Sequence, residues 1–159
     1  MTELNNSIEN IFQEAIRHCR WKRVLRTVVL TNPILCVKKL SSFSDNTFEE
    51  ILLHVYNICI GVYSIGPLVV YDITAAICRY NKIIVDKIYI VGGGPRRALE
   101  LLNIKPKIQK MDNISLKYIE IPELLEAFRV INHELPSYLK NNNNGDEFES
   151  YICHWQKAE

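Results

Sequence analysis

Three stretches of the chain carry residue types suited to holding an anion. In Gly92-Gly93-Gly94-Pro95-Arg96-Arg97 a glycine turn exposes backbone N–H groups, a proline suits the first turn of a helix, and two guanidinium groups follow. The Gly61–Gly66 connection, with Pro67 behind it, is a second glycine-led helix start. The third stretch is basic: Arg17, Arg20, Lys22, Arg23 and Arg26 stand close together with Trp21 among them. Lys82, Lys87, Arg96 and Arg97 form another basic group. Such groups suit contacts to a phosphate backbone, and the first also reads as a solvated helix face balanced by Glu3, Glu9 and Glu14. Other chemistries find less. His18, His54, His133 and His154 lack metal-ligand spacing, and Cys19, Cys36, Cys59, Cys78 and Cys153 contain no C-x-x-C pair. An odd number of cysteines among apolar neighbours reads as reduced core thiols. Cys153 and His154 are adjacent and would point to different sides of a helix, so sequence does not make them a nucleophile and base.

The elements that must position these residues are mostly helical by pattern. Residues 7–31 begin with helical spacing and end at Asn32-Pro33, and a short helix runs on to about Leu40. Apolar Phe48, Ile51, Leu52, Val55, Tyr56 and Cys59 predict a helix from Thr47 to about Ile60. The next runs from Pro67 through Tyr80, although its interior is rich in β-branched residues. Residues 83–91 read as strand by composition and as short helix by context. Pro95 opens a helix to about Leu102 that Asn103 closes, and Pro122 opens another to about Ile131. Residues 104–120 hold no clean period, and Lys117–Ile121 suits a short strand. Asn141–Asn144 with Gly145 reads as a flexible loop (140–146), after which Asp146 caps a last helix through Lys157. The expected fold is all-α: a single helical domain over 1–159, with at most a minor strand pair around 83–91 and 117–121.

Composition narrows the function classes. Of 159 residues, 48% are hydrophobic and 23% charged, the balance of a globular protein, which excludes disorder for most of the chain. Nineteen basic against 18 acidic residues leave a net charge of +1, so nucleic acid is not bound by bulk charge and any such contact needs a local patch. The polar N-terminal stretch MTELNNSIEN does not read as a signal peptide, and no apolar run approaches a membrane span. The expectation is a cytoplasmic protein with no membrane contact.

The turn Tyr63-Ser64-Ile65-Gly66-Pro67 between two helices resembles the helix-hairpin-helix motif, a Gly-hydrophobic-Gly turn that binds DNA phosphates through backbone N–H groups. The resemblance, about residues 47–80, implies that Ile65 is the buried turn residue, Gly66 the second glycine, and Ser64 a replacement for the first. It reaches further, over residues 58–102, to the core of helix-hairpin-helix DNA glycosylases. These carry a catalytic aspartate about twenty residues after the second glycine, which implies that role for Asp86 in Val85-Asp86. A lysine nucleophile of bifunctional members would fall at Leu68, and the four-cysteine iron–sulfur loop is missing, so neither lyase chemistry nor a cofactor is implied. Residues 50–157 are similar to small bacterial proteins of uncharacterised function, through Ile65-Gly66-Pro67-Leu68-Val69-Val70-Tyr71-Asp72 and the ending Glu147-Phe148-Glu149-Ser150-Tyr151-Ile152-Cys153. Tyr89–Pro95 is also similar to the Gly-x-Gly-x-x-Gly loop of flavoproteins, but Arg97 stands at the third glycine, and no acid follows at the required distance. The leading expectation is non-sequence-specific DNA binding by Ser64, Ile65, Gly66, Lys82, Arg96 and Arg97. The alternatives are a monofunctional base-excision glycosylase using Asp86, and a non-enzymatic module with a protein partner. No metal is expected.

Overall fold

A computed structural model describes residues 41–59 and 66–158. The chain divides into two compact units, Met1–Ile83 and Ile84–Glu159.

In the first unit a 3-10 turn, Ser41–Asp45, precedes helix α1, Phe48–Cys59, and helix α2 follows at Pro67–Tyr80. Thr47 starts α1: its hydroxyl oxygen accepts the Glu50 N–H at 3.2 Å, satisfying one of the donors that a helix start leaves open. Phe48, Ile51, Leu52 and Val55 recur at helical spacing and are buried. Helix α2 is buried from Val69 through Cys78 except at Asp72, and this burial overrides the strand propensity of its β-branched residues. Its buried Thr74 hydroxyl donates to the Val70 carbonyl at 2.8 Å, so no polar group is stranded there. The two helices pack on each other, with the Phe48 and Tyr71 rings 5.8 Å apart.

The second unit overturns the all-α expectation. Strand β1, Lys87–Tyr89, is followed by helix α3, Gly93–Leu102, then strands β2, Lys107–Met111, and β3, Ile114–Glu120. Helix α4, Ile121–Val130, a 3-10 turn at Ser137–Leu139, helix α5, Gly145–Trp155, and a closing 3-10 turn at Gln156–Ala158 complete it. The sheet is antiparallel in the order β1-β3-β2, so the fold is mixed α and β. The expected pair near 83–91 and 117–121 is present as β1 on β3, with Ile88 opposite Ile119. Strand β2 is the element that the missing helical period concealed. Its residues are exposed or half-buried, so they show neither a helical stripe nor a clean alternation. A two-residue connection, Asp112-Asn113, joins it to β3, with Asp112 at φ 47°, a conformation that aspartate tolerates better than most residues.

Ile88 and Ile119 on one sheet face pack with Ala98, Leu99, Leu124, Phe128, Phe148 and Ile152 from the three helices. Three described helices end alike. Lys82, Asn103 and Asn132 take φ of 56–57°, and the following residue's N–H returns to the helix: Ile83 to Cys78 O (2.8 Å), Ile104 to Leu99 O (2.9 Å) and His133 to Phe128 O (3.0 Å). Helix α5 begins earlier than expected, with Asn144 as its cap in place of Asp146. The Asn144 side-chain oxygen accepts the N–H groups of Asp146 (3.3 Å) and Val85 (3.1 Å), and the Gly145 N–H donates to the Val85 carbonyl. This clamps the start of α5 to the chain entering β1.

Candidate nucleic-acid interface

Helix starts differ in how their open N–H groups are served. Thr47 bonds the backbone at α1 and Asn144 does so at α5, while the Glu123 carboxylate reaches back to the Glu120 N–H (3.3 Å) at α4. Lys107, hydrogen-bonded and paired with Glu123 at 3.0 Å, holds that carboxyl below its ordinary value, and the same pairing raises the Lys107 ammonium. Helices α2 and α3 have no side-chain cap among the described residues. Both start from a glycine in extended backbone, Gly66 (φ −102°) and Gly92 (φ −93°).

The glycines themselves divide into two kinds. A Cβ on Gly94 would stand 2.7 Å from Cys153 Sγ, and one on Gly145 would overlap the Lys87 carbonyl, so packing requires glycine at both. A Cβ on Gly66 or Gly93 would meet nothing within 4 Å. Neither backbone conformation nor space within the fold demands glycine at these two positions, although glycine costs conformational entropy. Both lie at helix starts that have no side-chain cap among the described residues.

The expected site residues do not all come together. Ser64 and Ile65 lie outside the described residues, as do Tyr63 and the basic residues 17–26. Gly66 precedes α2 and Lys82 follows it, so 14 helical residues, about 21 Å, separate them. Arg96 and Arg97, the fourth and fifth residues of α3, are exposed and enter no ion pair among the described residues. Asp86 is exposed at the entry to β1, whereas the α3 start follows the opposite end of that strand. Tyr71 and Tyr89, 3% and 1% exposed, are core residues.

Sequence reasoning missed an aromatic cluster. Phe128, His133, Tyr151 and Trp155 pack ring to ring, with Phe128–His133 centroids 4.9 Å apart and Phe128–Trp155 5.1 Å apart at 89°. His133 Nε2 lies 2.6 Å from the Tyr151 hydroxyl, and burial, with Tyr138 nearby, pushes that phenol up. The spacing His133 to Tyr151 carries no sequence signal because a loop and a 3-10 turn intervene.

Among the described residues no group of His, Cys, Asp and Glu could hold a metal ion, and no helix is long and apolar enough to cross a membrane. No protein-family model, curated protein or solved structure matches the chain.

Proposed function

We propose that the protein is a small cytosolic DNA-binding protein that contacts the phosphate backbone without reading sequence, the start of α2 in one unit and the start of α3 in the other each offering a phosphate contact. The observation that carries this reading is that Gly66 and Gly93, the glycines with open space around the site of a Cβ, stand at the two helix starts without a side-chain cap. Open N–H groups at a positive helix end bind phosphate oxygens, and Arg96 and Arg97 add charge at α3 that enters no ion pair among the described residues. Base excision by Asp86 gains no support from its surroundings, because the carboxylate is exposed and lies at the other end of β1 from Arg96 and Arg97. An interaction module without nucleic-acid contact is the outcome if binding fails.

The test is binding of a labelled duplex and a labelled single strand at two salt concentrations, for wild type, Gly66→Glu and Arg96→Glu/Arg97→Glu. The open space at Gly66 accommodates the new side chain, and a carboxylate suits a helix start, so Gly66→Glu keeps its fold by circular dichroism. Salt-sensitive wild-type binding that both variants lose is expected. No wild-type binding at low salt, or variants that bind like wild type, rejects the reading.

A further inference from the structure

The β2–β3 hairpin carries charge that the fold leaves unbalanced. In its register Ile108 faces Lys117 across the strands and Lys110 faces Ser115, so these four side chains share one face. The same face begins with Ile119, opposite Ile88, in the core, and then runs out from under the helices: Ile108 is 62% exposed, and Lys110, Ser115 and Lys117 are exposed. Lys110 and Lys117 are diagonal neighbours, roughly 7 Å apart at their Cβ atoms. Neither enters an ion pair among the described residues, whereas Lys107, which alternation places on the opposite face, is neutralised by Glu123. Two exposed ammonium groups at this separation can each donate to an oxygen of an anion lying across both. Asp112 lies in the turn, beyond the last strand pair, Met111 with Ile114. Ile108, between the lysines, offers apolar contact to a sugar.

We infer that the exposed face of the β2–β3 hairpin, built on Lys110, Lys117, Ser115 and Ile108, is a second contact to the DNA backbone, with the two lysines on phosphates. This rests on the DNA-binding reading and adds a surface to it that involves no helix start. The test is the salt dependence of binding to a labelled duplex for the full chain, with Lys110→Gln/Lys117→Gln beside wild type, Gly66→Glu and Arg96→Glu/Arg97→Glu. Removing two phosphate contacts makes the slope of log affinity against log salt less steep by about 2, with an unchanged circular dichroism spectrum. A wild-type slope in the lysine variant, while the helix-start variants lose binding, overturns the hairpin contact alone. Loss in the lysine variant with wild-type binding by both helix-start variants supports the hairpin and overturns the helix-start reading. No wild-type binding at low salt overturns both.

Discussion

At Gly94 the packing of α3 on α5 comes down to one sulfur atom. The Cβ of an alanine there meets Cys153 Sγ at 2.7 Å, while the Cys153 backbone lies at an ordinary 3.6 Å. Gly94→Ala therefore costs about 1–3 kcal/mol in urea unfolding, and the same change in a Cys153→Ala background costs less than about 1 kcal/mol, because the obstructing atom is gone. Gly145→Ala has no such rescue. Its obstacle is the Lys87 carbonyl, a backbone atom that cannot turn aside, and a loss of about 3 kcal/mol or more is expected. Glu123 belongs to the same scale. Its folded value is depressed by Lys107, so the stability it contributes is present above its ordinary 4.5 and is lost as pH falls through the folded value. In Lys107→Met the Glu123 carboxyl, followed by NMR, titrates closer to 4.5 than in wild type.

At the scale of elements, helix ends carry most of the specification. Lys82 occupies the left-handed position at the end of α2, where Asn103 and Asn132 serve α3 and α4. Lys82→Gly relieves that conformation and stabilises the protein by about 0.5–1 kcal/mol in the same unfolding measurement. Capping residues and prolines are also what made the helices legible. Pro67 and Tyr80 bound α2 as expected, and Asn103 closes α3. Helix α4 is offset by one residue from the expected Pro122–Ile131. The hairpin was not legible because Lys107–Met111 buries none of its five residues fully and leaves no hydrophobic alternation to read. The α5 cap was misplaced by two residues, since Asp146 and Asn144 have equal claim by type, and the choice falls to Asn144 through its bond to distant Val85. The candidate site was legible in part. The helix-hairpin-helix resemblance singled out Gly66 and grouped Lys82, Arg96 and Arg97 with it as one binding set, but α2, itself expected, holds Gly66 and Lys82 at its opposite ends.

At the scale of the molecule, every buried member of the sheet-and-helix core lies between Ile88 and Ile152. A fragment spanning residues 84–159 thus retains the core of its unit, and is expected to unfold in a single cooperative transition by circular dichroism; a gradual loss of signal would show that the unit depends on the rest of the chain. Within that unit the Asn144–Val85 bond joins residues 59 apart in sequence. During translation, at roughly 5–20 residues per second, the entry to β1 leaves the ribosome some 3–12 s before its clamp. Within that interval β1 can pair with β3 once Glu120 is made, but the bond that holds its entry waits for Asn144, so the order in which the chain is made pairs this strand before it secures it.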